Sequence, residues 1–361
     1  MDPAYYQDLT RRALAGERLG EDESLRLLVA PEVELLPLVQ AAFEVRRTFW
    51  GRKVRIHILN NAQNGHCPED CGYCAQGRRS EVKDLEDYPM KSDAEILEEA
   101  RRAAAAGAFR YCMVFAGRGP SDQRVERLSQ LIREIKTRYA IEVCVSPGLL
   151  RAGQAERLKA AGLDRLNHNL NTSEENYPSI CTTHGYADRL RTLEYCRGAG
   201  LTACSGMILG LGEGPAGAVR VLRTLAELGV QSIPLNFLVS IPGAPLGQPE
   251  KLTPEYCLRA LCLARLLNPR AEVRAAGGRE AHLRGLQALA LYPANSLFME
   301  GYLNVPGAKQ HDTLRLIREA GFEVECEVPL PGLDEVPGEV GSAQTERLKT
   351  RAELRPALQP S

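Results

Sequence analysis

The sequence predicts an α/β protein built as a (β/α)₈ barrel of the TIM type, with a helical N-terminal extension and a flexible C-terminal tail. Three observations predict this fold. Runs rich in β-branched and aromatic residues alternate with helical segments eight times. These units span roughly 270 residues, close to the usual barrel length of about 250. Glycines stand where several of the helices should end.

The eight predicted strands are short and separated by segments with helical character. The strands cover residues 54–59, 109–115, 141–146, 165–170, 201–209, 233–239, 272–276 and 295–299. The helices cover residues 92–106, 124–139, 154–161, 187–197, 216–228, 254–267, 280–289 and 309–320. Glycines expected to end helices in a left-handed turn are Gly107, Gly162, Gly200, Gly229 and Gly321. An open doubly wound sheet is the alternative, and no Gly-x-Gly-x-x-Gly follows the first strand to support a dinucleotide-binding fold.

The two ends of the chain differ from the alternating region. The barrel is expected to cover residues 51–328. Residues 1–50 show the apolar spacing of helices, and we expect them to form an extension that caps one end of this barrel. From residue 329 to 361, proline, glycine and charged residues replace any apolar face. This composition predicts a disordered tail.

Composition and charge restrict the class of function. The chain has 45 basic and 46 acidic residues, so it has no electrostatic footprint for nucleic acid or an anionic membrane surface. No apolar run approaches the roughly 18 residues of a membrane span, and the first twenty residues lack the apolar block of a secretory signal. We therefore expect a cytoplasmic protein that acts on a small molecule.

Three of the eleven cysteines stand close together in a Cys-x₃-Cys-x₂-Cys motif. Cys67, Cys71 and Cys74 follow the first strand directly, at the carboxyl end of the barrel where active sites of this fold lie. Structural disulfides are rare in the cytoplasm, so we expect a metal or an iron-sulfur cluster here. Closed sites need four ligands, and no fourth cysteine is nearby, so one position stays open. A zinc knuckle completed by His66 or a distant cysteine is the alternative.

A second set of cysteines lies inside predicted strands. Cys112, Cys144 and Cys204 fall in the second, third and fifth strands, and Arg274 stands at the equivalent point of the seventh. Inward side chains there would meet in the barrel interior, where a buried arginine needs a partner. Metal-bound thiolates would provide one, so we predict a second metal site. The alternative is that these cysteines are small buried packing residues, which is the default for Cys181, Cys196, Cys257, Cys262 and Cys326.

Together these motifs resemble the biotin synthase family of the radical S-adenosylmethionine superfamily. The matching segments are GHCPEDCGYCAQ at 65–76, YCM at 111–113, NHNLNTS at 167–173, CSGMILGLGE at 204–213, PLNFLV at 234–239 and RAAGGRE at 274–280. The resemblance covers about residues 40 to 327. The first motif alone indicates only the superfamily, and the strand cysteines with the arginine narrow it to this family.

The resemblance implies two clusters and a radical sulfurtransferase reaction. It implies a [4Fe-4S] cluster on Cys67, Cys71 and Cys74, whose fourth iron binds S-adenosylmethionine. It further implies a [2Fe-2S] cluster, the sulfur donor, on Cys112, Cys144, Cys204 and Arg274. The implied activity is conversion of dethiobiotin into biotin by sulfur insertion at unactivated C–H positions. The cofactors carry the chemistry, so no side-chain acid or base is expected in the central step.

The same resemblance assigns contacts to the two small molecules. Asn169 and Asn236 match dethiobiotin contacts, Asn169, Asn171 and Arg189 match contacts to S-adenosylmethionine, and the Tyr73 backbone would lie beside the adenine. Asparagines that satisfy strand ends and a solvated surface arginine are the alternative interpretations.

Two departures from the family pattern affect these contacts. Asn171 replaces an aspartate of some members. The loop at 301–307 lacks their paired threonines, which leaves Asn304 or backbone amides for the substrate carboxylate.

Further partners are implied by resemblance alone. They are a reduced flavodoxin- or ferredoxin-type electron donor, an iron-sulfur assembly system and a second copy of the chain in a homodimer. The alternative functions are another radical S-adenosylmethionine enzyme, such as a hydrogenase-cofactor maturase, and a non-catalytic metal-binding scaffold.

Overall fold

Eight parallel strand positions close into a barrel in the computed structural model, which describes residues 1–246, 252–330 and 347–358. Strand β1 (Lys53–Gln63) pairs with β2 (Arg110–Phe115) on one side and with β9 (Ser296–Met299) on the other, and this closes the ring. The other barrel strands are β3 (Glu142–Ser146), β4 (Arg165–Asn167), β5 (Thr202–Cys204), β6 (Met207–Leu209), β7 (Ser232–Phe237) and β8 (Glu272–Ala275). The predicted barrel is therefore confirmed, and closure excludes the open doubly wound sheet.

The fifth strand position is divided in two. β5 pairs with β4 and β7, and β6 continues alongside β7 after an interruption at Ser205 and Gly206. A Cβ atom on Gly206 would lie 1.8 Å from the carbonyl oxygen of Pro234. Only glycine allows the two backbones to approach this closely.

Helices connect the strands as the sequence predicts, with two exceptions: the short helix α7 was not predicted, and the predicted helix at 280–289 is divided. They are α4 (Asp93–Ala105), α5 (Asp122–Arg138), α6 (Gln154–Ala160), α7 (Tyr177–Ile180), α8 (Tyr186–Gly198), α9 (Gly214–Glu227), α10 (Pro254–Leu267), α11 (Arg279–Leu283), α12 (Gln287–Ala290) and α13 (Gln310–Glu319). All five predicted C-terminal glycines have left-handed φ values between 63° and 91°. The predicted helix at 280–289 is broken between α11 and α12, because Arg284 has a φ of 49° that no right-handed helix continues through.

The N-terminal extension consists of α1 (Pro3–Ala15), α2 (Glu21–Val29) and α3 (Leu35–Trp50). These helices pack along the outside of α9 and α10. Buried Arg46 then joins α3 to the amino end of the barrel, where it donates to the carbonyls of Gly51, Lys53 and Ala294. The ring of Phe43 also packs on Tyr292 and Phe322, with centroids 5.0 and 6.0 Å away. The extension therefore covers a flank of the barrel and contacts its amino end through the last turns of α3.

Part of the expected tail has a defined place on the barrel. Residues 347–358 include a short helix, α14 (Arg351–Leu354), and a 3₁₀ turn that packs on α4. Buried Lys91 donates to the carbonyl of Leu354 at 2.6 Å, and Arg355 pairs with Glu95. Polar groups of this segment therefore have partners on the barrel, and the disorder expected of residues 329–361 stays a prediction. Residues 331–346 and 359–361, also assigned to the tail, lie outside the described residues.

Strand β10 (Glu323–Val324) pairs with the first residues of β1, outside the barrel itself. Within the described ranges, no helix has the length and apolar character needed to cross a membrane.

Candidate functional site

A cavity of about 300 Å³ opens at the carboxyl ends of the barrel strands. Every residue that the sequence analysis assigned to a cluster, to S-adenosylmethionine or to the substrate lines this cavity. The lining also includes Asn304, the candidate for the substrate carboxylate. The fold therefore brings together residues that are more than 200 positions apart, from Cys67 to Arg274.

The three motif cysteines lie in the loop after β1, at the wide end of the cavity. The backbone holds this loop in place: the Gly72 amide donates to the Ile180 carbonyl at 2.8 Å, and the Cys67 amide donates to the Gln76 carbonyl at 2.8 Å. The three sulfur atoms do not all lie within 4.8 Å of one another, a spacing that one metal ion would need. His66 is 95% exposed, so it does not complete a zinc knuckle here.

The three strand cysteines lie deeper, inside the barrel. Cys112 and Cys144 are register partners on β2 and β3, and Cys144 also contacts Cys204 on β5. Each is at most 6% exposed. Hydrogen bonding between these thiols and burial raise the pKa values of Cys144 and Cys204. Ionising them therefore requires a nearby positive charge, which a metal cluster would provide.

Arg274 completes this inner group and has a partner that the sequence analysis missed. Its Nη1 atom lies 3.7 Å from the Cys204 sulfur, but its ion pair is with the carboxylate of Glu272, two residues earlier on β8. Arg274 thus has a carboxylate partner in addition to its contact with a cysteine sulfur. The Nε atom of Arg274 is buried with no hydrogen-bond partner in the described ranges. A strand period of two places residues 272 and 274 on one face, so the sequence did hold a signal for this pair.

Glu272 is the centre of a buried charged layer beneath the cysteines. It is fully buried and accepts hydrogen bonds from Arg110 at 2.9 and 3.0 Å and from Ser232 at 3.1 Å. His57 lies 3.2 Å away. Burial and the charges of Arg274 and Arg110 lower the pKa of His57 well below its usual value. The layer therefore contains a neutral histidine and a carboxylate that Arg110, Arg274 and Arg55 share, with Arg55 at 3.4 Å. Arg110 also pairs with Glu142 at 2.6 Å.

The residues expected to contact S-adenosylmethionine form a group beside the motif cysteines. The Asn171 side chain donates to the Tyr73 hydroxyl at 2.6 Å. Arg189 donates to the carbonyl of Asn169 at 2.9 Å and also contacts Tyr177. The alternative in which Arg189 is a solvated surface charge is therefore wrong, because neighbouring groups fix its guanidinium at the cavity wall.

Asn169 and Asn236 line the cavity and also satisfy backbone groups. The Asn169 side-chain oxygen accepts from the Gly206 amide at 3.1 Å. The Asn236 oxygen accepts from the Gly277 amide at 3.0 Å, and its nitrogen donates to the Met207 carbonyl at 3.2 Å. These bonds fix the orientation of both side-chain amides. The two asparagines therefore satisfy backbone groups at strand ends and also line the cavity, so the two interpretations are compatible.

A polar cluster behind the motif was not anticipated. Cys181, assigned above to packing, lies 3.8 Å from the Cys71 sulfur, and the His184 ring lies next to both Cys181 and Glu69. Burial opposes ionisation of Asp70, yet hydrogen bonds from Thr182 lower its pKa well below the usual value. Because more than 100 residues separate the two halves of this cluster, no local pattern in the sequence could reveal it.

Comparison with known proteins agrees with this geometry. The family sequence model of the radical SAM superfamily matches residues 64–243. The family sequence model of the Biotin and Thiamin Synthesis associated domain matches residues 234–323. Biotin synthase of Magnetococcus marinus is 57% identical over 317 residues, which cover 88% of this chain and 98% of that protein. The chain belongs to the biotin synthase family. Biotin synthase of Acaryochloris marina is 52% identical over 319 residues, 88% of this chain and 92% of that protein.

Solved structures that resemble the chain share its barrel. The FeFe-hydrogenase maturase of Carboxydothermus hydrogenoformans has a TM-score of 0.74 at 19% identity, over 89% of this chain and 79% of its own. Methylornithine synthase has a TM-score of 0.75 at 18% identity, over 88% of this chain and 97% of its own. At such identities the likeness shows the fold alone, whereas sequence identity places the chain with the biotin synthases.

Proposed function

We propose that the chain converts dethiobiotin into biotin by radical-dependent sulfur insertion at unactivated C–H positions. The observation that carries this proposal is the position of the two cysteine sets. They line one cavity at two depths, and the predicted substrate contacts line the same walls. A substrate bound in this cavity would lie between a radical source at the mouth and a sulfur source in the barrel.

The motif cysteines fit an open [4Fe-4S] cluster with S-adenosylmethionine. Their sulfurs are spread beyond the spacing of a single ion, and Cys67, Cys71 and Cys74 provide three ligands instead of four. When bound, this cluster with S-adenosylmethionine supplies the radical that activates an inert C–H bond. Tyr73, Asn171 and Arg189 would position the sulfonium compound. Asn171 offers a neutral amide there, held by the Tyr73 hydroxyl.

The inner group fits the proposed [2Fe-2S] cluster. Cys112, Cys144, Cys204 and Arg274 are all buried, and the Nε–H group of Arg274 is a buried donor with no hydrogen-bond partner among the described residues. When bound, this cluster supplies the sulfur. The protein's task is to hold Arg274, which the ion pair with Glu272 does.

The remaining residues would orient the substrate and keep water out. Asn169 and Asn236 present fixed amides to the cavity, and Phe298 and Tyr302 form an apolar wall, with ring centroids 5.2 Å apart. Buried Asn304 is our candidate for the substrate carboxylate, and its carbonyl accepts from the Lys349 amide at 2.8 Å. The docked segment at 347–358 therefore supports the loop that carries Asn304.

No side-chain acid or base is proposed for the central step. His168 lines the cavity, and burial together with the charges of Arg189 and His184 lowers its pKa well below the usual value. It is therefore neutral at physiological pH. A cytoplasmic location, a flavodoxin- or ferredoxin-type donor, an iron-sulfur assembly system and a homodimer complete the proposal by analogy with the family.

An anaerobic turnover experiment tests the proposed function. Iron- and sulfide-reconstituted protein is mixed with S-adenosylmethionine, dethiobiotin and a strong reductant, and 5′-deoxyadenosine and biotin are measured by mass spectrometry. We expect both products, and neither from Cys71→Ala, because that variant loses one of three ligands. Formation of 5′-deoxyadenosine without biotin would refute dethiobiotin as the substrate. Full formation of 5′-deoxyadenosine by Cys71→Ala would refute the assignment of the [4Fe-4S] cluster to the motif cysteines. Protein that binds zinc and yields no product would support the scaffold alternative.

A further inference from the structure

Cys71, Cys181 and His184 form a compact group of metal-ligating atoms. Each residue offers one ligand atom, and these three atoms all lie within 4.8 Å of one another. Among the described residues, no other group of three or more histidine, cysteine, aspartate or glutamate side chains has this spacing. The two sulfurs are 3.8 Å apart, and the His184 nitrogens are 3.3 and 3.9 Å from the Cys181 sulfur. Zinc–sulfur bonds of about 2.3 Å in a tetrahedral site place two sulfurs about 3.8 Å apart. The observed spacing thus matches a tetrahedral site for one ion.

We propose that, in the cluster-free chain, Cys71, Cys181 and His184 bind a single divalent transition-metal ion of the zinc or ferrous class. Cys71 cannot serve this ion and a [4Fe-4S] cluster together, so the two are mutually exclusive. This exclusion rests on the proposed function, whereas ion binding itself does not. The site is a holding position for one ion on a chain that has not yet received its cluster.

The surrounding residues hold these ligands in place. Cys181 is 4% exposed and His184 is 8% exposed, so their side chains are already ordered by packing. Asp70 accepts hydrogen bonds from the backbone amides of Thr182 at 2.8 Å and Thr183 at 3.2 Å, which fixes the turn between the two ligands. A site built in advance in this way needs little ordering when it binds an ion.

His184 also has the partner that metal-bound histidines use. Glu69 contacts Nδ1 of the ring, an arrangement in which a carboxylate fixes the ring orientation and leaves Nε2 for a metal. The Arg189 Nη2 atom lies 3.0 Å from Nε2, so the planar guanidinium would have to turn away from the ring on metal binding and give up its bonds to Tyr177 and Asn169. Two thiolates would neutralise the charge of the ion.

The position of Cys181 explains why the ion and the cluster would compete. Cys71 and His184 line the cavity, whereas Cys181 is absent from its lining and lies behind Cys71. The metal site therefore shares one ligand with the cluster site and is otherwise distinct from it. An ion bound there would hold the Cys71 sulfur away from the cluster.

Cobalt(II) titration of the full-length, reduced, cluster-free chain under anaerobic conditions tests the site. Wild type should bind one more equivalent of cobalt, with thiolate-to-cobalt charge-transfer absorption, than either Cys181→Ser or His184→Gln. Glu69→Gln should bind it roughly 10–100-fold more weakly. Cys67→Ser should keep the equivalent, because Cys67 belongs only to the cluster site. Cys196→Ser, a buried cysteine on α8, is the matched control.

The outcomes are distinct. Unchanged stoichiometry and spectrum in both Cys181→Ser and His184→Gln, with wild-type circular dichroism, would overturn the proposal. So would loss of the equivalent in Cys67→Ser but not in Cys181→Ser, since the ion would then lie on the motif cysteines. His184→Gln keeps the test decisive if Cys181→Ser fails to fold.

Competition with zinc tests whether the single ion and the [4Fe-4S] cluster exclude each other, and this test does not depend on biotin formation. One equivalent of zinc should slow reconstitution of the visible iron-sulfur absorption in wild type and have less effect in Cys181→Ser. Equal slowing in the two proteins would overturn the exclusion. A chain that binds cobalt as expected but makes no biotin would refute the proposed function and leave the metal site standing.

Discussion

Replacing Glu272 by glutamine tests the charged layer beneath the inner cysteines. The substitution keeps the shape of the side chain and removes its negative charge. Arg110 would keep its ion pair with Glu142, at 2.6 Å, but its two hydrogen bonds to residue 272, at 2.9 and 3.0 Å, would lose their charge assistance. Buried Arg274 would lose the carboxylate with which it pairs.

The expected loss of stability is large because the partners stay buried. Breaking a buried ion pair by removing one partner typically costs about 3–5 kcal/mol, since an uncompensated charge remains. Glu134→Gln is the matched control. It removes an ion pair with Arg138 on the surface of α5, where Glu134 is 39% exposed, and such pairs contribute roughly 0–1 kcal/mol.

Urea unfolding of the cluster-free proteins, followed by circular dichroism under anaerobic conditions, measures both losses. We expect Glu272→Gln to lower the free energy of unfolding by about 3–5 kcal/mol and Glu134→Gln to lower it by under about 1 kcal/mol. A loss below about 1 kcal/mol in Glu272→Gln would refute the reasoning, because it would mean that water or another group compensates the buried charge of Arg274.

Three further predictions follow from the site and its supports. Cys144→Ala should still cleave S-adenosylmethionine but form no biotin in the anaerobic assay, since only the inner ligand set is broken; undiminished biotin would contradict that assignment. His57 and His168 are buried, and their pKa values lie well below the usual 6.5. Below pH 6.5 only the unfolded chain takes up these protons, so the free energy of unfolding decreases as the pH is lowered. Between pH 6.5 and 5.5 the loss should be about 1 kcal/mol for each histidine, and His57→Gln should remove its share from urea midpoints measured at both pH values. Lys91→Met should destabilise the protein by about 3–5 kcal/mol and expose the C-terminal segment to proteases, because Lys91 pairs with buried Glu99 at 2.8 Å and holds the Leu354 carbonyl; unchanged cleavage would show that this segment docks without it.

Local patterns were sufficient to predict the barrel and to single out the cysteines that line its cavity. Strand and helix periods depend on residues a few positions apart, and the Cys-x₃-Cys-x₂-Cys spacing lies within one loop. The inward direction of Cys112, Cys144 and Cys204 follows from their places in three strands of a closed barrel. For the same reason the glycine helix ends were correctly predicted, since each requires only a left-handed residue after a helical run.

Only the tertiary structure decided which distant groups touch. It paired Arg110 with Glu272, placed Cys181 and His184 behind Cys71, and docked residues 347–358 on α4. Each of these contacts depends on strand register or loop packing between segments far apart in the chain, and no short pattern encodes that. The sequence by itself determined the fold and singled out the residues that we assign to the clusters, whereas the partners that hold those residues depend on how the closed barrel brings its loops and layers together.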